Sequence, residues 1–149
     1  MDTQEREYAA WEEATTRGDQ PPGNVWRFNC EPIVAAGQAL LVDDDYALDD
    51  TVTLTPTPGH SPCHCCVNIQ SGGQRASVTG DMMHHALQCR EPGWYTIFDW
   101  DAQEAVASRR RFLTEVAGTS TLILPIHFPS PTVGRVTSDG ERFRYTFVR

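Results

Sequence analysis

Three residues of this chain pair a metal-ligating side chain with the same kind of setting. His60 follows Thr57-Pro58-Gly59, Asp81 follows Thr79-Gly80, and His127 lies within Pro125-Ile126-His127-Phe128-Pro129. Each falls in a turn directly after a segment that reads as a β-strand, so a common sheet would bring them to one edge. Imidazole nitrogens and a carboxylate suit zinc, manganese or iron, and one carboxylate can bridge two ions through its two oxygens. A lone histidine at a strand end is more often an ordinary hydrogen-bonded residue than a ligand. The joint pattern, not any single residue, points to a metal centre.

The elements that would hold these turns can be read from periodicity and punctuation. A first helix is expected over about 2–16, with a narrow apolar stripe of Tyr8, Ala9, Trp11 and Ala14. The stretch 17–24 (RGDQPPGN) replaces every apolar residue with turn formers and reads as a linker. A second short helix over 25–36, weakened by Pro32, ends near Gly37, and Ala39-Leu40-Leu41-Val42 predicts a short strand closed by Asp43-Asp44-Asp45. From Thr51 the pattern turns to β. Thr51–Thr55 alternates, His64–Gln70 is a second strand, and Ser71-Gly72-Gly73-Gln74 turns it into Arg75–Thr79. Asp101 with Glu104 predicts a helix start, Gly118 its stop, and Val106, Leu113 and Val116 its inward face. Thr121–Ile126 reads as a buried strand, and Gly134–Val148 as a hairpin turned at Ser138-Asp139-Gly140. The order α, α, β-meander, α, β, β-hairpin describes an α+β or layered α/β fold.

Other side chains bear on the same edge. His84 and His85 are adjacent, so their side chains diverge and at most one faces a site; His84 is either the one at its edge or a solvated surface residue. Trp94, Tyr95, Phe98 and Trp100 share a loop with Pro92 and Gly93, either an aromatic wall for an apolar leaving group or a loop folded over the core. Cys63-His64-Cys65-Cys66 contains no CxxC pair, and alternation on a strand sends Cys65 and Cys66 to opposite faces. They read as small buried side chains with one or two reactive thiols rather than a thiolate metal site. Arg109-Arg110-Arg111 reads as a solvated helix face with its stems packed below, Arg109 being the one of the three that can turn inward.

Composition bounds the class. The chain has 149 residues, 40% hydrophobic and 21% charged, which describes one globular domain and excludes disordered, collagen-like and disulfide-scaffold classes. A net charge of -8, from 12 Lys+Arg against 20 Asp+Glu, disfavours nucleic acid and anionic membrane surfaces as partners, leaving small molecules. No apolar run is long enough for a membrane helix, and Met1–Glu7 has no signal-peptide character, so a cytoplasmic location is expected. Five cysteines, an odd number clustered mostly at the centre, fit a reducing compartment.

The three segments Thr57-Pro58-Gly59-His60-Ser61-Pro62-Cys63-His64, Thr79-Gly80-Asp81-Met82-Met83-His84-His85 and Pro125-Ile126-His127-Phe128-Pro129 resemble, in order and spacing, the later metal motifs of the metallo-β-lactamase-fold hydrolases. Gly80-Asp81, His84, Gln88, Phe98-Asp99, Asp101, Arg109, His127, Pro129, Gly134 and Phe143-Arg144-Tyr145 are similar to the branch containing methyl parathion hydrolase and related lactonases. The likeness runs from about Val25 to the C-terminus.

The resemblance implies that His60 ligates a first metal, Asp81 bridges, and His127 ligates a second. His64 would fix the loop rather than bind metal, with His84, Trp94 and Phe128 at the pocket. It implies hydrolysis of an ester, lactone or phosphotriester by metal-bound hydroxide, with zinc as cofactor, two ions per site in the complete family. The family's earlier His-x-His-x-Asp-His motif has no counterpart here, since the first histidine is His60, and Cys63 stands where the family usually has Gly. The expectation is therefore a single partial domain over 1–149, with 1–24 as helix and linker and 25–149 as the C-terminal half of an αββα sandwich, a mixed sheet with flanking helices. One weakly bound zinc or none is expected. The alternative reading is a truncated, non-catalytic half-domain, active only when complemented by a partner chain. Either way the uncovered surfaces predict self-association or pairing with a complementary N-terminal half.

Overall fold

The computed structural model describes residues 3–18, 26–43 and 45–148. The chain divides into two compact units, residues 1–44 and 45–149, a later boundary than the linker at 17–24 suggests; most of that linker, Asp19–Asn24, lies outside the described residues.

In the first unit, helix α1 (Thr3–Arg17) forms where the stripe predicts it, with Ala14 buried and Trp11 Nε1 donating to Glu7 Oε1 one turn earlier at 2.8 Å. The expected single helix over 25–36 is instead a π-helical turn, Trp26–Cys30, followed by α2 (Glu31–Ala35). Pro32 explains the break: it stands in the first turn of α2, where its missing N–H is harmless, and so starts a helix rather than interrupting one. Residues Trp26 and Tyr8 meet edge to face, 4.6 Å between ring centroids. The strand expected at Ala39–Val42 does not form. Leu40 and Leu41 are exposed, and no strand among the described residues pairs with the segment, which leaves its backbone groups without a ladder.

The second unit is built on one mixed sheet of six strands in chain order: β1 (Val52–Pro56), β2 (Cys65–Ser71), β3 (Gln74–Val78), β4 (Leu122–Leu124), β5 (Gly134–Asp139) and β6 (Arg142–Phe147). All neighbours are antiparallel except β3 and β4, which run parallel. A parallel pair needs a long crossover, and here it carries two helices, α3 (Leu87–Arg90) and α4 (Ala102–Val116). The expected mixed sheet with flanking helices is thus the architecture adopted. Strand β4 is shorter than expected because Pro125 follows it at once. The final hairpin turns at Gly140-Glu141, slightly later than expected, with Asp139 opposite Arg142.

Helix α4 starts where Asp101 predicts. Its carboxylate accepts from Gln103 N and Glu104 N at 2.9 and 3.0 Å, satisfying two N–H groups that the first turn cannot. Its buried face is Ala105, Ser108, Arg109, Phe112, Leu113 and Val116, a stripe of helical period. Val106, expected inward, flanks this stripe and is only half-buried, and of the basic run Arg109 is the member that turns inward and is buried. The stripe meets Cys66, Ile123 and Val136 of the sheet, with Met82, Met83, Cys89 and Phe128 closing the core.

Paired residues of neighbouring strands share a face, so the register sorts the sheet. Towards α4 lies the row Thr53, Asn68, Ser77, Ile123; away from it lie Val52, Ile69, Ala76, Leu122 and Leu54, Val67, Val78, Leu124. The second face is apolar along two complete rows, and its side chains remain half-buried or, at Ile69, exposed. No helix among the described residues is long and apolar enough to cross a membrane.

Candidate metal centre

The loop from β1 to β2 carries His60 and is fastened to the start of α4. Ser108 Oγ donates to Pro58 O at 2.8 Å, Asp101 N to Gly59 O at 2.9 Å, and Trp100 N to His60 O at 3.3 Å. The approach is so close that a Cβ on Gly59, whose φ is 128°, would overlap the backbone of Ala105. His60 therefore leaves its loop in a fixed direction. Its Nδ1 lies 3.1 Å from Asp99 Oδ1, and its Nε2 lies 3.4 Å from Asp81 Oδ2.

Asp81 sits in a 3-10 turn, Gly80–Met82, directly after β3. Its backbone N–H donates to His64 Nε2 at 3.1 Å. That bond decides the tautomer of His64. Since Nε2 accepts, Nδ1 carries the proton and donates to Thr57 Oγ1 at 2.8 Å. His64 thereby ties the turn bearing Asp81 to the loop bearing His60, with both ring nitrogens engaged by protein groups. Gly80 has φ 49°, and a Cβ there would lie 2.7 Å from His64 Nε2, so this bridge requires glycine.

His127 reaches the same carboxylate from the segment after β4, with Nε2 in direct contact with Asp81 Oδ1. His84, from the segment after the 3-10 turn, places Nε2 3.8 Å from that oxygen. The rings of His84 and His127 stack at 4.8 Å, and His60 and His84 stand 5.3 Å apart. The fold thus brings His60 and His127, the expected companions of Asp81, and His84 around the Asp81 carboxylate. Phe128, expected at the pocket, is instead a core residue, 5.0 Å from Tyr145 edge to face, while its neighbour His127 is exposed. Trp94 is exposed in the aromatic loop, as are Tyr95, Phe98 and Trp100. A cleft of about 330 Å³ between α4 and β1–β3 is lined by Thr53, Asn68 and Glu115, among others, and by none of the candidate ligands.

Three supporting residues had no role assigned from sequence. Asp99, with its side chain 1% exposed, holds His60 Nδ1 and accepts from Thr96 N at 3.0 Å. Burial alone would raise its carboxyl, but the bonds from His60 and Thr96 and the charge of Arg109 outweigh burial and hold it below the ordinary carboxylate range. The signal was present: Asp99 is the lone acid among Ile97, Phe98 and Trp100. Arg109 donates to the carbonyls of Met82, Pro92 and Trp94 at 3.0, 2.9 and 2.6 Å. It locks the aromatic loop to the segment bearing Asp81, and burial pushes its guanidinium down against the pull of Asp99. Gln88 accepts from His84 N at 2.7 Å and donates to Trp94 O at 3.1 Å, fixing the His84 backbone.

The donor set suits a divalent cation of zinc type. Imidazole nitrogens and both oxygens of one carboxylate face each other, and His60 is oriented from behind by a carboxylate, the usual outer partner of a metal-bound histidine. His84 turns Nε2 toward the same carboxylate, and its Nδ1 is buried with no hydrogen-bond partner among the described residues. Burial lowers the His84 pKa, opposed by Asp81 and reinforced by His127 and His60. The cysteines take no part. None of them is disulfide-bonded among the described residues, and burial pushes the Cys66 and Cys89 thiols up to about 11 and about 12.

No family model matches the sequence, and no curated protein matches it. Solved structures do. The chain is similar to hydrolase AbOPH of the beta lactamase superfamily, at 20% identity and TM-score 0.76, over 85% of this chain and 43% of that one. It is similar to AidC, a dizinc quorum-quenching lactonase, at 23% identity and TM-score 0.67, over 84% and 47% of the two chains. A probable metal-dependent hydrolase from Staphylococcus aureus follows at 19% identity and TM-score 0.60, over 76% and 41%. The chain thus spans less than half the length of these neighbours. The likeness is one of fold, over less than half of each of these structures.

Proposed function

We propose that this chain contributes the metal-binding loops of a zinc-dependent hydrolase acting on an ester, lactone or phosphotriester. The observation that carries the reading is the convergence of His60 and His127 through Nε2 on the two oxygens of Asp81, with Asp99 behind His60. In this reading His60, Asp81 and His127 hold the cation. A cation bound there lowers the pKa of a coordinated water and polarises the carbonyl or phosphoryl oxygen under attack. The chain's own residues set direction and environment. Asp99 keeps His60 in one tautomer with Nε2 forward, and His64 fixes the Asp81 turn through its backbone N–H. The exposed Trp94, Tyr95, Phe98 and Trp100 offer an apolar wall to a leaving group or acyl chain.

A second reading is supported by the two apolar rows of the sheet and by the share of the neighbours that the chain spans. In it, the chain acts only when a complementary segment or a second copy covers the Val52 and Leu54 rows. One experiment separates the two. The purified chain is supplied with zinc and assayed against a p-nitrophenyl ester, a γ-lactone and a p-nitrophenyl phosphotriester, beside Asp81→Ala. Zinc-dependent turnover lost in Asp81→Ala supports hydrolysis by this chain, and equal background rates in both favour the second reading.

A further inference from the structure

The metal ligands named above leave out one histidine of the cluster around Asp81. We propose that His84 is itself a metal ligand, completing with His60, Asp81 and His127 a site for one divalent cation. The inference rests on the metal-centre reading and adds to it a ligand and a stoichiometry.

Donor atoms of His60, Asp81 and His84 all lie within 4.8 Å of one another. A tetrahedral zinc ion with bonds of about 2.0–2.1 Å spaces its ligands about 3.3 Å apart. The 3.4 Å between His60 Nε2 and Asp81 Oδ2 already has that spacing, and the 3.8 Å between His84 Nε2 and Asp81 Oδ1 needs only a small side-chain rotation. Three imidazoles crowd one carboxylate, with His84 stacked on His127 at 11° and tilted 47° to His60. Nitrogen lone pairs facing a carboxylate repel it unless a proton or a cation lies between. One cation relieves all of these contacts together.

The site selects His84 over its neighbour. His85 Nδ1 accepts from Leu87 N at 3.1 Å, which commits that ring to its own turn. The His84 backbone is held by Gln88, and the ring's buried Nδ1 has no hydrogen-bond partner among the described residues.

The test uses the full chain, stripped by a chelator and titrated with zinc and separately with cobalt(II). The expected stoichiometry is one ion per chain, with zinc affinity falling about 100-fold or more in His84→Ala and by less than about twofold in His85→Ala. His84→Phe keeps a ring against His127 but offers no nitrogen, and is expected to match His84→Ala. The cobalt(II) visible band should lose intensity in both His84 variants at saturation. Near wild-type affinity in His84→Phe, an unchanged cobalt band, or no metal bound by the wild-type chain would each overturn the proposal. These readouts do not depend on turnover. Binding that requires His84 without hydrolysis would remove the hydrolase reading alone, and hydrolysis with metal binding indifferent to His84 would remove this inference alone.

Discussion

The two sides of the candidate centre are held very differently. On one side, the loop bearing His60 is fixed to α4 at Pro58, Gly59 and His60 in turn, and the imidazole is held from behind by Asp99. On the other, His127 follows a three-residue strand, and its side chain is 45% exposed against 18% for His60. Asp81 stands between them, anchored through its backbone to His64. The difference shows that this segment preorganises one flank of the centre by itself. The other flank is placed by the sheet but not clamped, and a bound cation would supply much of its order.

Substitutions can break this contrast at several levels. Asp81→Ala removes the oxygens shared by both flanks and should abolish zinc binding in an isothermal titration; retained binding would show that the carboxylate is not the hub. Gly59→Ala forces a side chain into the Ala105 backbone at a left-handed φ, and should cost about 3 kcal/mol or more in a denaturant melt. A near-neutral result would mean the loop is looser than its contacts imply. Asp99→Asn should weaken zinc affinity about 10- to 100-fold by loosening His60, and an equal effect from a substitution beside His127 would erase the asymmetry.

Two smaller effects sharpen the same picture. Ile69→Lys, on the exposed part of the apolar rows, should shift sizing chromatography towards monomer while changing stability by no more than about 0.5 kcal/mol. An unchanged profile would remove that face as an association surface. Cys66 lies behind the His60 loop, 3.5 Å from Thr57 Oγ1, with its thiol pushed up to about 11 by burial. Folded chain at pH 8 holds it protonated, so its labelling by a thiol reagent should be slow and should accelerate about tenfold in a variant whose loop opens. As pH rises past the ordinary thiol value of 9.0 towards about 11, the unfolded chain loses this proton first. Stability should therefore decline across that window and not below it.

Much of the second unit was legible because its signals are local. Alternation gave β1 to β3, Asp101 gave the start of α4, and a turn after each of three strands gave the candidate ligands. The failures share a cause. Ala39–Val42 has strand composition but no partner strand among the described residues, and a strand without a ladder is not a strand. Arg109 sits in a basic run that reads mostly as solvated, and only the carbonyls of Met82, Pro92 and Trp94, from segments well before it in the chain, fix its guanidinium inside.

Sequence alone determined the chemistry on offer: which side chains can bind a cation, in what order they occur, and that turns present them. Tertiary structure decided which nitrogen of each histidine faces Asp81, that His84 joins them while His85 turns away, that Asp99 stands behind His60, and that Phe128 belongs to the core. Those outcomes depend on distances between segments far apart in the chain, which the register of the sheet and the packing of α4 set and no local pattern records.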